Sequence, residues 1–109
     1  MFYSPREVEC QLIMYPYSQQ KLRHLEYLNH GNRLTDCQRE ELVFYTYIVG
    51  QVEQWVISLS PDERDIIRYR CFENMKFDYI SVLLRYSNHS SVIRKYYRII
   101  DQISYSTRQ

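Results

Sequence analysis

The sequence predicts an all-α protein, with an N-terminal helical layer and a long central helix leading into a C-terminal three-helix helix-turn-helix unit. Three observations carry this. Only two glycines and three prolines occur in 109 residues, a scarcity that suits long helices and not strand-turn-strand folds. Apolar residues recur every three or four positions along most of the chain, the period of a helix with one buried face. Three segments carry the side chains that satisfy the free N–H groups of a helix start: Ser4-Pro5-Arg6-Glu7, Thr35-Asp36-Cys37-Gln38 and Ser60-Pro61-Asp62-Glu63.

At Ser4, the cap is followed by Pro5 at the first helical position, and Val8, Leu12 and Tyr15 then form one face. Pro16 is expected to break or kink this helix, because it lacks an N–H and crowds the preceding turn. A second stretch carries Leu22, Leu25 and Leu28 and stops at Asn29-His30-Gly31-Asn32. Behind Thr35 lies the seam Leu42, Tyr45, Ile48, Val52, Trp55 and Leu59. Such a seam suits the core spine of a small bundle; the competing reading is a dimer interface. Gly50 weakens this helix by ~1 kcal/mol relative to Ala.

From Ser60 a third helix is expected to run to Phe72, with a break at Glu73-Asn74-Met75-Lys76. A short helix follows from Phe77 to Leu84, then a turn at Arg85-Tyr86-Ser87-Asn88. A last helix from about His89 to about Ser104 carries Val92, Tyr96, Ile99 and Ile103 on one face. The chain thus divides into an N-terminal helical region, 1–58, and a helix-turn-helix region, 59–109.

Composition narrows the function classes. A chain 45% hydrophobic and 25% charged is globular. Twelve tyrosines serve mainly as packing, since a phenol ring lines a thin core while its hydroxyl stays wet. Cys10, Cys37 and Cys71 form no CxxC, and His24, His30 and His89 are not spaced with them for zinc. The expectation is a reduced, cytosolic chain without disulfide, metal or other cofactor. The N-terminus lacks the order of a signal peptide. The apolar stretch from Leu42 to Val52 is too short to span a membrane, which takes ~20 residues. No catalytic constellation or phosphate-binding glycine loop is present, so the chain is not expected to be an enzyme.

The net charge of +1 is uneven. Residues 1–58 hold five Lys/Arg against seven Asp/Glu, whereas residues 59–109 hold nine against six. The last 25 residues set Arg85, Arg94, Lys95, Arg98 and Arg108 against Asp101 alone, so a polyanion is expected to bind there. On the last helix, the apolar stripe at 92, 96, 99 and 103 leaves Arg94, Lys95 and Arg98 pointing elsewhere. Asn88, His89, Ser90 and Ser91 stand at its N-terminal end. A helix docked in the major groove needs this division: one face holds it to its supports, and its first turn and outer face meet base edges and phosphates. Asn88, His89, Ser90, Ser91, Arg94, Lys95 and Arg98 are therefore the candidate DNA-binding residues. Arg64, Arg68, Arg70 and Glu63 read as a solvated helix face, Trp55 as a core anchor and Cys71 as a structural thiol.

The run from Leu59-Ser60-Pro61-Asp62-Glu63-Arg64 through Arg70-Cys71-Phe72-Glu73-Asn74 to Tyr79-Ile80 resembles region four of bacterial sigma factors. Pro5 to Leu12, Tyr15-Pro16 and the long helix into Trp55 and Leu59 are similar to small phage late-gene transcription activators of the RinA/ArpU type. Together the resemblance spans about residues 5–103. It implies that Ile80 and Leu84 support the turn, that Ser87 and Asn88 open the recognition helix, and that Arg94, Lys95 and Arg98 face DNA. Asn74 and Arg85 stand where the pattern has glycines, Lys76 where it has Ser or Thr, and Leu84 to Val92 is one residue longer.

The function so implied is a sequence-specific transcriptional regulator, an activator of phage late genes. Its partners would be double-stranded promoter DNA and host RNA polymerase. With so low a net charge, affinity would rest on a few well-placed contacts or on a homodimer. Two other classes are a small terminase-like DNA-packaging subunit, which would form a ring, and a protein-interaction module such as a sigma mimic or inhibitor. The latter would lack salt-dependent DNA affinity.

Overall fold

A computed structural model describes residues 2–108. They form five α-helices: α1 (Pro5–His30), α2 (Asp36–Ile57), α3 (Pro61–Ile67), α4 (Phe77–Leu83) and α5 (His89–Ser106). No strand occurs among the described residues, and none of the helices is long and apolar enough to cross a membrane. All three expected N-terminal caps form as reciprocal pairs. Ser4, Thr35 and Ser60 accept from the N–H three residues on, and Glu7, Gln38 and Glu63 reach back to the cap N–H.

Pro16 does not break α1, which runs through it for 26 residues. The expected break loses to tertiary packing: Val8 and Leu12 before the proline and Ser18 and Leu25 after it are all buried on one continuous seam. Burial of that seam offsets the ~3 kcal/mol that an interior proline costs. The α1–α2 pair is the most extensive helix contact in the molecule.

The core joins both halves of the sequence. Val8 and Leu12 of α1 and Val52 and Trp55 of α2 cluster with Leu59, Ile66, Ile67, Cys71, Tyr96, Ile99, Ile100 and Ile103. Trp55 is only 6% exposed and takes Tyr3 edge-on at 5.7 Å between ring centres. The seam from Ile48 to Leu59 is thus core, so the reading of this face of α2 as a spine holds and its use as a dimer interface does not. The two ends of the described segment meet: the Tyr3 N–H donates to Thr107 Oγ1 at 2.9 Å, and Ser104 Oγ donates to the Tyr3 carbonyl at 2.6 Å.

Chain reversals use side-chain-bearing residues in the left-handed region: Asn32 (φ 55°), Asn74 (φ 54°) and Arg85 (φ 61°). After α1, the Arg33 N–H returns to the Leu28 carbonyl at 3.1 Å; after α4, the Tyr86 N–H returns to Ser81 at 2.8 Å. These bonds span the left-handed residue and satisfy carbonyls that the helix end leaves free. Neither glycine occupies such a position, since no glycine has positive φ.

Candidate nucleic-acid interface

The third helix expected to reach Phe72 ends as a regular α-helix at Ile67 and continues as a π-helical turn, Arg68–Phe72. The wider turn ends with the Glu73 N–H on Arg68 O at 3.0 Å and the Met75 N–H on Tyr69 O at 2.9 Å. Arg70 fixes the exit. Its Nη1 donates to the Met75 carbonyl at 3.0 Å and its guanidinium lies 4.1 Å from the Phe77 ring centre. Arg64 donates through Nε to Val56 O at 3.1 Å and through Nη2 to Ile57 O at 2.9 Å, closing the C-terminal end of α2. The expectation of a plain solvated face is therefore corrected for Arg64 and Arg70, whose acceptors are backbone carbonyls brought near by the fold. Arg68 keeps surface ion pairs, with Asp65 at 3.6 Å and Glu73 at 3.5 Å.

Helix α4 opens at Lys76, whose side chain makes no capping bond. Ile80 is fully buried and Leu84 packs against the core. The Arg85 turn then delivers Asn88, the N-cap of α5, in extended backbone. Asn88 Oδ1 accepts from the Ser91 N–H at 2.9 Å and from Ser91 Oγ at 3.2 Å. This fixes the start of α5: His89, Ser90 and Ser91 are its first three residues.

The seven candidate residues do not form one surface of equal availability. Ser90, Arg94 and Arg98 are exposed and follow one another at four-residue spacing, so they share a face. Lys95 is half-buried at the edge of that face. Ser91 is half-buried and engaged with Asn88, whose amide oxygen is spent on the cap. His89 lies on the α4 side, with Nδ1 3.5 Å from Asp78 Oδ1. Among the described residues no carboxylate lies within ion-pairing distance of Arg94, Lys95 or Arg98.

Two residues of this face were missed. Tyr97 and Tyr105 are exposed on the side that carries Arg94, Arg98 and Asp101. Their spacing from Arg94 was a readable signal, masked by treating tyrosine as packing. Asp101 confines the basic strip to the first three turns of α5.

Under the strip the helix is held firmly. Val92, Tyr96, Ile99, Ile100 and Ile103 are buried. The Tyr96 hydroxyl donates to Glu9 Oε2 of α1 at 2.7 Å and stands 3.4 Å from Cys71 Sγ. Burial pushes the Cys71 thiol up to about 11 and raises Tyr96 far above the ordinary phenol range. Cys71 is thus a protonated packing group near neutrality. No cluster of three or more His, Cys, Asp or Glu able to hold a metal occurs among the described residues.

Comparison of the chain with protein-family models, curated proteins and solved structures returns no match.

Proposed function

We propose that the chain is a sequence-specific DNA-binding transcriptional regulator that lays α5 in the major groove. The observation that carries this reading is the division of α5 into two faces. One is buried on α1, α3 and α4; the other presents Ser90, Arg94 and Arg98 without a carboxylate partner. Arginines so placed suit phosphate and guanine, and a short hydroxyl in the first helical turn suits a base edge. The resemblance to RinA/ArpU-type activators and to sigma region four supports a role at phage late promoters together with host RNA polymerase.

The test is fluorescence anisotropy with promoter and random duplexes across a salt series. Binding that weakens linearly in log–log form with salt and favours promoter DNA supports the reading. Salt-insensitive or absent binding by the folded chain overturns it.

A second reading has its own support. Tyr79, Val82 and Leu83 are exposed on α4, and apolar side chains grouped on one short helix favour a protein partner over phosphate. A sigma mimic docking through α4 would bind polymerase with no salt-dependent affinity for DNA, and the same assay separates the two.

A further inference from the structure

The outward face of α2 carries a second apolar seam, opposite the one buried in the core. Val43, Tyr47, Gly50, Gln54 and Ile57 follow one another at steps of four, three, four and three residues, the repeat by which one helix lies along another. Val43 is 71% exposed and Ile57 73%, with Phe44 beside them also exposed. Gly50 sits at the centre, and a Cβ built on it meets nothing within 4 Å. Nothing inside the molecule therefore requires glycine there, although glycine weakens a helix. A bare backbone does permit close approach by a second helix.

The seam is also self-complementary. Reversed about Gly50, Val43 falls on Ile57 and Gly50 on itself, while Tyr47 and Gln54 come within one residue of each other. The charges agree with that reversal. Towards the N-terminal end of α2, Asp36 is paired with Arg39 at 2.8 Å and Glu40 is exposed beside them, while the Arg64 guanidinium is fixed on the Val56 and Ile57 carbonyls at the other end. Antiparallel pairing sets Glu40 of each copy near Arg64 of the other, whereas parallel pairing sets Glu40 against Glu40. Tyr47 is steadied by a hydroxyl contact with Tyr3, so one edge of the seam is tied to the segment that binds the end of α5.

We infer that a second copy of this chain docks on this face, α2 against α2, antiparallel about a two-fold axis at Gly50. The contact is isologous, with the same patch serving both copies. It does not depend on DNA contact by α5. Where both hold, the dimer carries two related α5 helices and reads an inverted repeat.

The test is the mass of the full chain by sedimentation equilibrium without DNA, over a concentration series. Twice 13.5 kDa is expected for the native sequence. Gly50→Arg should give a folded monomer, because a side chain there meets nothing within the molecule and fills only the interface. Val43→Glu and Ile57→Lys should each give folded monomers. Combining V43E and I57K in one chain should restore the dimer, since antiparallel pairing sets Glu against Lys twice. A native chain monomeric at every concentration overturns the inference, as does a dimer that survives all three single changes. A folded double variant that stays monomeric overturns the antiparallel register. Failure of DNA binding leaves every one of these masses unchanged, so the two readings fail separately.

Discussion

The Tyr96 hydroxyl donates to Glu9 Oε2 at 2.7 Å, joining the middle of α5 to the first turns of α1 across 87 residues of sequence. The bond lies just beneath the strip that carries Arg94 and Arg98. To read DNA as proposed, α5 must be held against rotation about its own axis, because a few degrees would move its outer side chains off a base edge. Apolar packing resists displacement, while a directional bond from a buried ring to a carboxylate also sets the rotation. Tyr96→Phe should therefore keep most of the stability and blur discrimination between promoter and random duplex. Equal discrimination by Tyr96→Phe and the native chain would assign the rotation to packing alone.

Replacing Arg94, Lys95 and Arg98 together with Ala should weaken binding to all duplexes and flatten the salt dependence by about one unit of log–log slope per lost phosphate contact. Arg94 and Arg98 should account for most of it, since Lys95 is half-buried. Anisotropy titrations check this, with circular dichroism to confirm folding. A folded triple variant that binds unchanged removes α5 from the interface.

Base reading should fall to Ser90 rather than Asn88. The Asn88 oxygen is engaged by Ser91, so Asn88→Ala should cost ~1 kcal/mol of stability as a lost cap. Asn88→Ser, which restores a capping oxygen, should recover both stability and promoter preference. Ser90→Ala should relax preference by ~1 kcal/mol or more while leaving binding to random DNA nearly unchanged. If Asn88→Ser also relaxes preference, its amide donor reads a base.

Trp55→Ala should destabilise by ~3–5 kcal/mol, as expected for a large aromatic removed from a packed core. Chemical denaturation checks it. A midpoint close to that of the native chain would mean that the neighbours collapse into the space.

Cys71 should make stability fall at alkaline pH. Its folded value of about 11 stands above the ordinary 9.0, because burial disfavours the thiolate. The folded state therefore holds the proton more tightly. That stabilisation is complete below about pH 9 and is lost as pH rises towards 11, amounting to ~2–3 kcal/mol at most. Denaturation of the native chain and of Cys71→Ala across this window should converge. Parallel curves would show that another group governs the alkaline limb.

Arg85 holds φ at 61° without being glycine. Arg85→Gly should raise stability by ~0.5–1 kcal/mol, relieving the left-handed strain minus the greater freedom of glycine in the unfolded chain. A lower melting temperature would show that contacts of the Arg85 side chain outweigh the strain.

What could be read from sequence was local. The three capping pairs, the Ser60-Pro61 start and the opening of α5 at His89 each depend on residues within one helical turn, and each was legible. The break expected at Pro16 does not occur because the cost of the proline is local while what offsets it, a seam buried along α2, is not. Arg64 and Arg70 were misread for the same reason: their acceptors, Val56, Ile57 and Met75, come within reach only through the path of the fold. At the candidate interface the residue types and the helix were legible. The division of labour among them was not, because whether Asn88 caps or reads depends on where the turn after Arg85 leaves the backbone.

The pairing of Tyr3 with Ser104 and Thr107 bears on how the molecule comes into being. A newly made chain can form α1, α2 and their hairpin early, since those contacts are near in sequence. The core around Val8, Leu12 and Trp55 nonetheless waits for Tyr96 to Ile103, which leave the ribosome well after them. Closing so long a loop costs entropy before any contact repays it. Until α5 has emerged, the half-made protein carries an apolar cleft along its first helix, open to chaperones or to the same cleft on a neighbouring nascent chain.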